Sequence, residues 1–126
     1  MTVASFRCLA LSLVLGAPLA HAADDAAFQL RTAADLARLC AVPADHPRHP
    51  AAVHMCQGYL VGVHHLHAAA LEPSETGGLY CLPETPPSRN DAAAAFAEWV
   101  GTTPGAGDLP TVEGVMRWAA ATYPCR

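Results

Sequence analysis

The sequence predicts an all-α fold: a compact domain of four helices held by two disulfides. Three observations carry this. Apolar residues recur at three- and four-residue steps in four separate stretches, and no stretch alternates as a strand would. Alanine, the best helix former, occurs 27 times and accounts for much of the 52 % apolar content. Four cysteines punctuate the helical stretches: Cys40 ends the first, Cys56 lies in the second turn of the second, Cys81 precedes the third and Cys125 follows the fourth. Only three Phe, three Tyr and two Trp supply bulk, so a modest core is expected, with Tyr59, Phe96, Trp99, Trp118 and Tyr123 filling it.

The segment 1–22 reads as a leader. Arg7 is followed by an apolar run from Cys8 to Leu19 and by the small-residue site Ala20-His21-Ala22, the three parts of a secretory signal peptide. A run of about a dozen residues is too short for the ~20 that a membrane-spanning helix needs. Phe6 and Arg7 ahead of Cys8 are not the residues that precede a lipid-modified cysteine. The expectation is therefore a signal peptide at 1–22 and one domain at 23–126, exported to a Gram-negative periplasm. Removing 22 of 126 residues leaves 104, enough for one small domain and too few for two lobes around a large cofactor. The mature chain has six Arg, no Lys and eleven acids, a formal charge of 6 − 11 = −5. Nucleic acid and anionic membranes are poor partners for it.

Thr32-Ala33-Ala34-Asp35 has the form of a capping box, and Leu36, Leu39 and Cys40 follow at helical spacing, so the first helix is expected over 32–40. Three prolines between Val42 and Pro50 make a loop. The second helix is expected over 51–71, its stripe formed by Val53, Cys56, Leu60, Val63 and His67, with Tyr59 and Leu66 on an adjacent face. Its length and wide apolar coverage make it the expected central helix. Gly58 and Gly62 are expensive in a helix interior and suggest close packing against another backbone. After a linker over 72–89, Ser88 to Asp91 offers a further cap, and a third helix is expected from Asn90, ending before Gly101. The glycine-rich stretch 101–107 reads as a flexible turn. The fourth helix is expected over 110–123, with Val112, Val115, Ala119 and Tyr123 inside and Met116 and Trp118 beside them.

Export changes the cysteine arithmetic. Cys8 leaves with the leader, and Cys40, Cys56, Cys81 and Cys125 remain, with three possible pairings in an oxidising compartment. Short connections favour antiparallel neighbours, so helix one is expected on helix two and helix three on helix four. That arrangement pairs Cys40 with Cys56 and Cys81 with Cys125.

Catalytic equipment is thin. The mature chain has two serines, Ser74 and Ser88, neither in a nucleophile elbow. Glu72, Glu75 and Glu84 share a proline-rich loop, where acids are normally solvated. The stretch 101–107 lacks the Lys-Ser/Thr pair and the preceding strand of a phosphate-binding loop. Six histidines are the sharper feature. His64 and His67, three apart, are the candidates for a shared metal ion, while His54 and His65 lie about 16 Å apart along the helix. No Cys-x-x-Cys or His-Glu-x-x-His pattern supplies further ligands, so no cofactor is expected. His67, on the apolar stripe, reads as a hydrogen-bonded core histidine.

Four motifs occur in order: Cys56-Gln57-Gly58-Tyr59-Leu60-Val61-Gly62, Tyr80-Cys81-Leu82-Pro83, Trp99-Val100-Gly101-Thr102-Thr103-Pro104, and Ala120-Ala121-Thr122-Tyr123-Pro124-Cys125. The arrangement resembles the periplasmic immunity proteins of type VI secretion systems, the Rap/Tai family, from about Leu36 to Cys125. The resemblance gives Gly58, Tyr59, Gly62, Pro83, Pro104 and Pro124 as motif positions. It implies a disulfide-bonded helical protein, often dimeric and not an enzyme, that binds a peptidoglycan amidase effector and blocks its active-site cleft. Glu98, Thr102, Thr103 and Asp108, polar residues beside the glycine-rich turn, are the candidate partner contacts. The alternatives are a small periplasmic acid-stress chaperone, since six protonated histidines would carry the charge from −5 toward +1, and a histidine-based metal-binding protein.

Overall fold

The computed structural model describes residues 25–70 and 78–125. The expected signal peptide at 1–22 and Leu71, Glu72, Ser74, Glu75 and Gly77 lie outside the described residues. A short 3-10 turn, Ala27–Gln29, is followed by α1 (Ala33–Cys40), α2 (His49–Ala70), α3 (Arg89–Thr102), a second 3-10 turn (Ala106–Asp108) and α4 (Thr111–Thr122). Among the described residues there is no strand, only an isolated antiparallel bridge between Thr32 and Pro110. The all-α class and the four helices agree with the sequence pattern. Among the same residues no helix is long and apolar enough to cross a membrane.

The capping box at α1 is complete. The Thr32 hydroxyl accepts from the Asp35 N–H at 3.3 Å, and the Asp35 carboxylate accepts from the N–H groups of Thr32 at 3.2 Å and Arg31 at 3.0 Å. Asp35 is buried and also receives the Arg38 guanidinium, so its desolvation is offset by several donors. Pro50 sits in the first turn of α2, where its missing N–H leaves nothing unpaired, and α2 therefore begins at His49 rather than at Ala51. Ser88 caps α3 through the Asp91 N–H at 3.1 Å. α3 runs two residues further than expected, through Gly101 and Thr102. It stops where Pro104 forces Thr103 into an extended conformation, φ −98°, ψ 114°.

The hub of the molecule is α1, not α2. Although the shortest of the four, α1 packs on α2, α3, α4 and both 3-10 turns, and α3 packs chiefly on α1 rather than on α4. The expectation that the longest apolar helix lies at the centre fails. α2 exceeds the length of its neighbours: Leu60 and Val63 are its last buried residues, and beyond them Leu66 is 67 % exposed. α1 places Ala33, Leu36 and Leu39 at zero exposure. Around them lie Phe96, Cys56, Ala52, Val115 and Trp118. Phe96 meets the edge of Trp118 at 5.5 Å between ring centroids, and Trp118 meets Tyr123 at 5.9 Å. Tyr59, Trp99 and Tyr123 are only partly buried, whereas Tyr80, from the loop before α3, belongs to the core.

Two glycine expectations are corrected together. Among the described residues a methyl group at Gly58 or Gly62 would meet nothing within 4 Å, so none of their backbone packs there. The close approach is at Gly114, where a methyl group would lie 2.5 Å from Cβ of Ala33. That contact rotates α4. Its buried side is Thr111, Gly114, Val115, Trp118 and Ala119, while Val112, expected inside, is 46 % exposed. The junction is fastened by hydrogen bonds from the Ala33 N–H to the Leu109 carbonyl at 2.9 Å and from the Thr111 hydroxyl to the Leu30 carbonyl.

Both disulfides pair as expected. Cys40 is bonded to Cys56, with Cα atoms 5.2 Å apart, and Cys81 to Cys125, with Cα atoms 4.9 Å apart.

Candidate partner-binding site

Two regions present candidate functional side chains, one at each end of α3. At its C-terminal end are the four residues singled out from the sequence. Glu98 and Thr102 are exposed and one turn apart, so they share a helix face, and the Thr102 hydroxyl donates to the Glu98 carbonyl at 2.9 Å. Thr103 is half-buried at the helix end, its N–H bonded to the Trp99 carbonyl at 2.9 Å. Asp108 is exposed in the last residue of the second 3-10 turn.

The glycine-rich stretch is more built than a flexible turn. Gly105 takes φ +76°, a left-handed conformation that favours glycine, and successive N–H groups of Ala106, Asp108 and Leu109 bond back to Thr103, Gly105 and Ala106 at 3.1–3.3 Å. Gly107 lies against Ala34, where a methyl group would be 3.4 Å from its Cβ, and Ala106 is buried. The turn is thereby clamped onto α1, with polar side chains on its outer edge. Pro104 is exposed at its start.

At the other end of α3, α2, the loop around Tyr80 and α4 enclose a hollow of about 310 Å³. Its walls include Leu60, Tyr80, Leu82, Val115 and Trp118, and its rim includes His64, His65 and Arg89. Tyr80 organises the histidines. Its hydroxyl lies 3.2 Å from Nδ1 of His64, and its ring stacks on His67 with centroids 4.2 Å apart and planes inclined by 15°. Nε2 of His67 accepts the Leu79 N–H at 3.0 Å, so Nε2 is unprotonated. His67 is thus the hydrogen-bonded histidine expected, though half-buried rather than in the core. His64 and His67 are both engaged with the Tyr80 loop, and among the described residues no three His, Cys, Asp or Glu side chains are grouped as a metal ion requires. Burial, then the neighbouring His65 and His67, push the His64 pKa below the ordinary imidazole value. Burial pushes the Tyr80 and Tyr123 phenols up.

The motif positions divide between structure and surface. Tyr59 packs against the core and its phenol pKa is raised by burial, while Gly58 and Gly62 are exposed on the open face of α2. Pro83 and Pro124 flank the disulfide of Cys81 and Cys125 and line a second hollow with Tyr123. Ser88 is occupied as a helix cap and its hydroxyl bonds Asp91 at 2.6 Å. All four described cysteines are in disulfides.

Sequence reasoning missed Arg89 and Trp118 as companions around one hollow. Each is visible in the sequence, Arg89 as a cation at the start of a helix where acids are favoured, but their meeting depends on tertiary structure. No curated protein and no solved structure matched the chain. The family model described as Rap1a immunity proteins matches residues 32–125, from the cap of α1 to the last cysteine, and the chain belongs to that family.

Proposed function

We propose that the mature chain is a periplasmic immunity protein that binds a peptidoglycan amidase effector of a type VI secretion system and blocks its active-site cleft, without catalysing a reaction. The observation that carries this reading is the match to the immunity family over the whole helical domain. Two disulfides in a small domain support an oxidising compartment, reached through the signal peptide at 1–22. Inhibition is stoichiometric: affinity comes from a rigid, preorganised surface rather than from chemistry. Glu98, Thr102, Thr103 and Asp108 form the contact set; α3 and its cap hold the first three and the clamped turn holds Asp108, so that little ordering entropy is lost on binding.

A homodimer would use the open face of α2. Met55, Gly58, Gly62 and Leu66 lie on one side of the helix, and the two glycines leave room for a second backbone.

The test is capture from periplasmic extract with the mature protein as bait, followed by a peptidoglycan hydrolysis assay on the captured enzyme. Co-purification of an amidase whose activity falls to zero at equimolar protein is expected. Recovery of no amidase, or of one whose activity is unaffected, would overturn the reading. Alanine at Glu98, Thr102, Thr103 and Asp108 together is expected to weaken capture at least tenfold, and unchanged binding would move the contact surface elsewhere. Suppression of client aggregation at low pH in place of amidase binding would favour the acid-stress chaperone.

A further inference from the structure

The hollow of about 310 Å³ is at the lower end of the range for small-molecule sites, matching a ligand of one ring and a short chain. Its interior is aromatic and aliphatic: Tyr80, Val115 and Trp118 are buried, and Leu82 and Tyr123 are half-buried.

The charge at its rim has one sign. Eleven acids outnumber seven arginines in this chain, yet among the described residues no Asp or Glu lines the hollow. Among the described residues the charged, imidazole and amide side chains of the lining are Arg89, His64, His65 and Gln57, and Gln57 donates to Oδ1 of Asn90 at 2.7 Å. The nearest acid along α3, Asp91, is held by the Ser88 hydroxyl and N-cap.

Arg89 is the unusual member. It is the first residue of α3, where the helix dipole disfavours a cation. The guanidiniums of Arg38, Arg48 and Arg117 pair with carboxylates, whereas among the described residues Arg31 and Arg89 have no ion pair, and of these two Arg89 lines the hollow. It is a planar, permanently charged donor beside an aromatic cavity, the arrangement that recognises a carboxylate in two-point geometry.

We propose that this hollow is a binding site for a small aromatic carboxylate, with the ring against Trp118, Tyr80 and Leu82 and the carboxylate on the Arg89 guanidinium. The site is separate from the proposed effector contacts. Arg89 and Thr102 are thirteen residues apart, about 20 Å along α3, so ligand binding and effector binding are separable. The proposal does not rest on the immunity reading.

The probes are 3-phenylpropionate and its uncharged counterpart 3-phenylpropan-1-ol, titrated into the disulfide-bonded mature protein and followed by chemical shifts of the Trp118 indole and the Leu82 and Val115 methyl groups. The carboxylate is expected to move these signals with a Kd on the order of 1 mM, and the alcohol to bind about tenfold more weakly. Arg89→Gln is expected to bring the carboxylate down to the level of the alcohol while leaving the alcohol unchanged. Ala92→Trp, which fills the hollow from α3, is expected to abolish both. If the tryptophan variant does not fold, the comparison of carboxylate with alcohol and the Arg89→Gln titration stand without it. Equal binding of the two probes, shifts confined to residues outside the hollow, or no shifts at about ten times the expected Kd would overturn the proposal.

Discussion

The two disulfides stand in unlike surroundings. Cys56 is fully buried beside Leu36, Leu39 and Phe96, and its bond to Cys40 joins α1 and α2 in the part of the molecule where packing is already dense. Cys81 and Cys125 are both exposed, and their bond ties the loop before α3 to the chain end after α4. On that side the backbone is otherwise held by the Cys81 N–H bonded to the Tyr123 carbonyl at 2.8 Å and by Tyr80 between its histidines. One disulfide reinforces a core; the other substitutes for one. That difference explains where the hollow lies, because a covalent tie holds the loop in place without filling the space beneath it.

Removing each disulfide in turn gives the largest expected effect. With the cysteines separated by 44 and 16 positions, loop-closure entropy puts the loss at about 4 kcal/mol for the Cys81 to Cys125 bond and about 3 kcal/mol for the other. Urea unfolding of Cys81→Ala/Cys125→Ala and Cys40→Ala/Cys56→Ala measures both. If the ranking reverses, the buried surroundings of Cys56 outweigh chain entropy, and the contrast between the two ends becomes stronger.

Gly114→Ala is expected to come next. A methyl group 2.5 Å from Cβ of Ala33 forces α1 and α4 apart. The overpacking cost, up to about 3 kcal/mol, exceeds the ~1 kcal/mol that alanine gains in a helix. A thermal midpoint lower than that of the parent protein checks it. Thr32→Ala, which opens the capping box at the hub, is expected to cost about 1 kcal/mol by the same measurement.

On the open face the sign reverses. Gly58→Ala and Gly62→Ala meet no neighbour and are expected to stabilise the monomer by about 0.5–1 kcal/mol each. If the dimer uses this face, the same substitutions weaken association in sedimentation while raising the thermal midpoint at low concentration.

The smallest effect is the pH dependence from His64. Its folded pKa lies below the unfolded value, so the unfolded chain binds more protons between the two. Its contribution is therefore fully present above the unfolded value of about 6.5 and is lost as pH falls from there through the folded pKa. Thermal midpoints between pH 5 and 8 are expected to fall less steeply on acidification in His64→Gln than in the parent protein. Parallel curves would show that His64 is not the group responsible.

Local chemistry was well marked in the sequence. The capping box of Thr32 and Asp35, the Ser88 cap, the proline-bounded loop before α2 and the four helical stretches depend on residues within a few positions of one another. The disulfide pairing came out as expected, although α3 packs chiefly on α1 rather than on α4, the packing from which the Cys81 to Cys125 pair was argued. The four proposed partner contacts were legible only as polar side chains beside a turn, and the structure adds that the turn is clamped to α1.

The sequence by itself determined the helices and their caps, since these are decided by hydrogen bonds and steric preferences over three or four residues. Only the tertiary structure decided that the short α1 is the hub, that Gly114 rather than Gly58 or Gly62 takes the close approach, that Val112 faces outward, and that Arg89 meets Trp118. Each of these depends on the rotation of one helix against another. Apolar periodicity leaves that rotation open when a helix is rich in alanine, because its faces are nearly equal in hydrophobicity and differ in the volume they fill.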